Sequence, residues 1–88
     1  MIRKGLEKEF IIHPGETLQE ALKELQISVS TLSQATGFSE AHINRVLTGK
    51  STISRTFATK LAKAIAVPAS FWNALQQIYD EEIASLQL

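Results

Sequence analysis

Between Ser28 and Gly37, and again between Ser39 and Thr48, the chain carries two short amphipathic segments joined only by Gly37-Phe38-Ser39. Helices of about eight residues are not stable alone in water, so each must be held by its neighbours. Gly37 supplies the positive φ of a sharp turn, and Ser39 restarts a helix by capping its first amides. The two segments therefore read as helices that cross at a fixed corner, with Phe38 plugging it. Few other folds are open to a chain built around such a pair.

The surrounding punctuation marks three further helices. Pro14 opens the first, with Glu16 suited to the opening turn and Leu18, Ala21, Leu22 and Leu25 at helical spacing. Glu16, Glu20 and Glu24 fall four apart on a face that must be solvated. Ser28 caps the second helix, which is expected to bury Val29, Leu32 and Ala35. Ser39 caps the third, anchored by Ile43, Val46 and Leu47. Ser54 caps the fourth, with Phe57, Ala58, Leu61, Ala62 and Ile65 on one face, and Pro68 ends it. Ser70 is expected to cap the fifth, which carries Phe71, Trp72, Leu75, Ile78, Tyr79, Ile83 and Leu86. Only Phe10-Ile11-Ile12 looks extended. The reading is an all-α, compact five-helix bundle: a short N-terminal arm over residues 1–12 and one domain over 13–88.

An 88-residue chain has room for one small core. With no cysteine, disulfides, thiolate zinc sites and a cysteine nucleophile are excluded. No apolar run is long enough for a membrane span or a secretion signal, so a cytoplasmic protein with no membrane partner is expected. His13 and His42 are the only histidines; two isolated imidazoles do not make a metal site, and His13 reads as a turn residue before Pro14, His42 as orienting or lying beside the backbone. The prominent serines sit at helix starts, so neither catalytic residues nor a cofactor is expected.

Net charge is zero, yet its distribution is uneven. Residues 37–66 carry Arg45, Lys50, Arg55, Lys60 and Lys63 against Glu40 alone, while Asp80, Glu81 and Glu82 stand unopposed near the C-terminus. Phosphate responds to local field, so such a patch can serve a nucleic acid, although five charges alone do not single one out. The third helix adds a sharper argument. If Ile43, Val46 and Leu47 hold one flank, then Ser39, Glu40, Ala41, Asn44 and Arg45 are left to meet base edges in a major groove. Arg45 can bond guanine bidentately, Asn44 can pair with adenine, and Glu40 can accept from a cytosine amino group. Lys50, Ser51, Thr52, Ser54 and Arg55, with Ser28 and Ser30, are the candidate phosphate contacts. The plain alternative for each is a solvated charge, a loop hydroxyl or a cap.

These residues carry a family resemblance. Ser28-Val29-Ser30-Thr31-Leu32-Ser33-Gln34-Ala35-Thr36-Gly37-Phe38-Ser39, continuing through Ile43 to Leu47-Thr48-Gly49-Lys50, resembles the Xre or phage-repressor helix-turn-helix. His13-Pro14-Gly15-Glu16-Thr17-Leu18, Ser39-Glu40-Ala41-His42-Ile43 and Val67-Pro68-Ala69-Ser70-Phe71-Trp72-Asn73-Ala74-Leu75-Gln76 are similar to the HigA/VapI antitoxin branch, the plasmid-maintenance antidotes. Val29 stands where members usually carry Gln, and Ala41 where a longer polar reader is common. The resemblance implies a repressor that binds a palindromic operator in its own promoter and neutralises a cognate RNA-cleaving toxin.

The fifth helix has more apolar face than a small domain covers, so Phe71, Trp72, Leu75, Tyr79 and Ile83 are the expected interface of a homodimer. Two-fold symmetry would set two reading helices about 34 Å apart, one turn of duplex. The arm has three readings: a frayed end, a strand added to a toxin's sheet edge, or a further DNA contact. Two other functions stay open, a regulator without a toxin and a protein-interaction module that has lost DNA binding.

Overall fold

The computed structural model describes residues 11–86. Five helices follow in order: α1 Pro14–Leu25, α2 Val29–Thr36, α3 Glu40–Leu47, α4 Arg55–Ile65 and α5 Ala69–Leu86. No strand occurs among the described residues. Residues 1–10, most of the expected arm, lie outside them; of the rest, Ile11 is buried and Ile12 exposed.

Local chemistry accounts for the boundaries. Ser28, Ser39 and Ser54 each hold extended backbone angles, and their hydroxyls accept the amides of Thr31, His42 and Phe57 at 3.0–3.1 Å. Gly37 ends α2 at φ 81°, a region where a Cβ is strained. Ser70 does not cap α5: the helix already begins at Ala69, and the Phe71 amide donates to the Pro68 carbonyl at 3.0 Å. Ser70 therefore lies inside the first turn.

The start of α1 differs most from expectation. His13 is a buried N-cap rather than a turn residue, and its Nδ1 accepts the Gly15 amide at 2.9 Å. The Tyr79 ring meets it edge-on at 4.7 Å. Pro14 follows as the first helical residue, where its missing N–H costs nothing. Gly15 presses so closely on α3 that a Cβ there would collide with the Val46 carbonyl oxygen. The His-Pro-Gly sequence thus caps α1 and lets it approach the end of α3.

Around this contact, α1 packs on α3 and α5, α2 on α3 and α4, and α4 on α5. The shared core is built from Leu18, Leu22, Leu32, Ile43, Val46, Ile53, Phe57, Ala58, Leu61, Ile65 and Trp72. Leu25 and Ala35, both expected on buried faces, fall outside it. Leu25 is 50% exposed, and Ala35 is exposed while Thr36 is buried in its place. Thr36 is satisfied locally: its hydroxyl donates to the Leu32 carbonyl at 2.8 Å and accepts the Phe38 amide at 3.2 Å.

Two outcomes follow from α1. Gly15→Ala should destabilise the protein by about 1–3 kcal/mol through overpacking, read as a lower urea midpoint; an unchanged midpoint would mean that α1 does not sit this close to α3. Burial lowers the His13 pKa, with Glu16 and Asp80 partly opposing it. The folded state therefore binds its proton less readily than the unfolded chain. This contribution is complete above the ordinary histidine value of 6.5 and is lost as pH falls below it. Urea midpoints at about pH 8 and about pH 5 should differ more in the wild type than in His13→Asn, which keeps a capping side chain but does not titrate.

Candidate nucleic-acid interface

The third helix is held from one side only. Ile43 and Val46 are fully buried and Leu47 half-buried, whereas Glu40, Ala41, Asn44 and Arg45 are all exposed. The α2–α3 corner that aims this flank is tied at several points. Ser33 donates its hydroxyl to the Phe38 carbonyl at 2.6 Å, and Thr36 takes the Phe38 amide. Phe38 stacks on His42 at 5.0 Å and meets Phe57 at 4.8 Å, and His42 meets Phe57 at 5.5 Å. This closed triangle of rings joins the turn, α3 and α4. His42 is thus packed within this triangle, and among the described residues its buried Nε2 has no hydrogen-bond partner.

At its far end α3 closes on itself. Thr48 donates its hydroxyl to the Asn44 carbonyl at 2.9 Å and more weakly to that of Arg45 at 3.3 Å. The amides of Lys50 and Ser51 both reach the Arg45 carbonyl, at 2.7 and 3.2 Å. These bonds fix the loop that carries the candidate phosphate contacts. Ser28, Ser30, Lys50, Thr52, Ser54 and Arg55 are exposed there and at the α2 start; Ser51 is half-buried. The Ser28 and Ser54 hydroxyls accept the Thr31 and Phe57 amides as caps, and both residues remain exposed.

One tie was not legible beforehand. Gln76 on α5 is buried, and its Oε1 accepts the Ile53 amide at 2.8 Å while its Nε2 donates to Asp80 at 2.9 Å. The loop after α3 is thus held by a side chain 23 residues away. A glutamine between the apolar positions of α5 was the only available signal.

The expected interface on α5 needs correction. Trp72 is completely buried against the core and cannot meet a second chain. Leu75, Tyr79 and Ile83 are half-buried, and Tyr79 is engaged with His13. The outward large apolar residues of α5 are Phe71 and Ile78, 43% and 51% exposed, with Leu86 at its end 39% exposed. Ile78 lines a groove of about 280 Å³ whose other walls include Ile12, Pro14, Leu75 and Tyr79. The reason is angular: Phe71, Leu75 and Ile78 share one face, and Trp72 and Gln76 lie about 100° around the helix. Among the described residues no helix is long and apolar enough to cross a membrane.

A short helix anchored by its apolar underside, crossing a second across a glycine turn and leaving a polar flank open, defines a helix-turn-helix domain. The chain belongs to the Helix-turn-helix family, in its Xre-type form, with residues 18–72 matching. That family consists of DNA-binding regulators and is not a family of enzymes. Among solved structures, an addiction-module antidote protein of the HigA family from Coxiella burnetii is 32% identical with a TM-score of 0.83, the match covering 88% of this chain and 85% of that one. The antitoxin HigA of Pseudomonas aeruginosa, solved with the higBA promoter, is 33% identical with a TM-score of 0.82 over 88% of this chain and 85% of its own. The HTH-type transcriptional regulator YddM of Escherichia coli is 32% identical over 66 residues, 75% of this chain and 70% of that protein.

Proposed function

We propose that this protein is a sequence-specific DNA-binding repressor and the antitoxin of a HigB/HigA-type pair. The observation that carries the DNA half is the division of α3: Ile43 and Val46 fully buried, Glu40, Ala41, Asn44 and Arg45 open to solvent. A reading helix needs that division, since the groove admits a helix only if one flank is free. Ser39, Glu40, Ala41, Asn44 and Arg45 form the reading flank. Ser28, Ser30, Lys50, Ser51, Thr52, Ser54 and Arg55 face the phosphates, which fix register without reading sequence. Similarity to an antitoxin solved with its promoter supports this assignment. Neutralisation of an RNA-cleaving toxin, and action in the cytoplasm on the protein's own promoter, rest on the likeness to HigA-family antidotes.

Binding to a palindromic operator calls for a two-fold dimer. Its surface is the outward strip of α5, Phe71, Leu75 and Ile78, with Ile12 at its edge. Phe71 and Ile78 still expose about half their surface, so covering each across a two-fold axis adds about 1 kcal/mol.

Two measurements test these readings. Arg45→Ala should cost about 1–3 kcal/mol on the preferred sequence and relax preference at one base pair, whereas Lys50→Ala should weaken all sequences alike and lower the salt slope by about one. Equal loss on preferred and random duplex would remove Arg45 from the readers. The double change Phe71→Ser with Ile78→Ser should give a monomer of unchanged helicity by sedimentation and circular dichroism. A dimer that survives it would place the contact elsewhere.

A further inference from the structure

The reading flank of α3 has an uneven profile. Successive residues step about 100° around a helix, so the direction opposite the buried pair Ile43 and Val46 can be located from the sequence. Ala41 and Thr48 lie within about 10° of it, Asn44 and Arg45 about 50° to either side, and Glu40 about 90° away. The side chains aimed most directly outward are therefore the two short ones. Thr48 has already spent its only hydroxyl proton on backbone carbonyls of α3, at 2.9 and 3.3 Å. It has no proton left for a base. Ala41, exposed and about two turns nearer the start of α3, offers only a methyl group.

A methyl at the centre of a reading face, with longer polar arms on each side, carries two consequences. The helix axis can come closer to the base edges than a long central side chain would allow. The group met at that depth must be one that a methyl recognises, and on the major-groove edge of DNA this is the C5-methyl of thymine. A bare cytosine or purine edge there would lose solvent from its donors and acceptors with nothing in return.

We propose that Ala41 is a specificity-determining residue that selects thymine at one position of each half-site through methyl–methyl contact, between bases met by Asn44 and Arg45. This rests on the DNA-binding reading above. Deoxyuridine, which differs from thymidine only in lacking the methyl group, isolates the contact from every hydrogen bond.

The test begins by selecting bound duplexes from a random pool with the full chain, then replacing each thymine of the selected site by uracil in turn. One thymine per half-site should respond, with affinity falling about threefold to fivefold, the worth of one buried methyl. In Ala41→Gly the thymine and uracil duplexes should bind alike. Because the readout is a ratio within one protein, a general weakening of the variant cancels. Ala41→Ser, which places a hydroxyl against the thymine methyl, should shrink the ratio too and serves if the glycine variant does not fold. No enriched duplex would remove the DNA-binding reading and this inference with it. An enriched site indifferent to uracil everywhere, or a uracil response unchanged in the Ala41 variants, would overturn this inference alone.

Discussion

The first turn of α1 lies directly against the carbonyl end of α3, and the placement of the exposed flank depends on this approach. Gly15 has no side chain because the Val46 carbonyl occupies the space a Cβ would need. His13 makes the approach possible by capping the helix from within, through a ring nitrogen, while Tyr79 of α5 covers the ring. Helix α3 has eight residues, too few to hold its own geometry in water. Its position is imposed from outside: α1 at the Val46 end, and the Phe38–His42–Phe57 triangle at the other.

The same economy governs α5. One face buries Trp72 and sends Gln76 to the Ile53 amide, which holds the loop between α3 and α4. The neighbouring face turns Phe71 and Ile78 outward. The helix that steadies the loop between α3 and α4 is thus also the helix with an apolar strip left over. Both faces are written in one 18-residue segment, which explains why its apolar stripe looks too wide for a single core.

Much of this was legible in the residues, and the failures have physical causes. Ser28, Ser39 and Ser54 cap as expected because capping is a local interaction. Ser70 misleads because the backbone turns helical just after Pro68, two residues sooner than a Ser70 cap requires. Ala35 and Thr36 lie three and four residues after Leu32, and either spacing suits a buried position. Thr36 takes it because its hydroxyl can bond the Leu32 carbonyl, a compensation that a hydropathy pattern does not register. Trp72 and Phe71 were assigned to one interface because a broad stripe does not reveal where its inner edge ends. The roles of His13, Gly15 and Gln76 depend on partners distant in sequence, so no local pattern carried them. The exposed flank of α3 was readable because three aliphatic residues at helical spacing leave little choice of which side faces out.

Trp72 is the chain's single tryptophan, and it is sealed in the middle of the domain. Its indole N–H is buried with no hydrogen-bond partner among the described residues, and Phe71 lies edge-on to the ring at 5.1 Å. The molecule therefore carries one indole reporter, buried in a core to which all five helices contribute side chains. Phe71 and Ile78, by contrast, contribute almost nothing to emission. Fluorescence from this protein reports whether the helices are together, and stays nearly silent about what docks on the outside of α5.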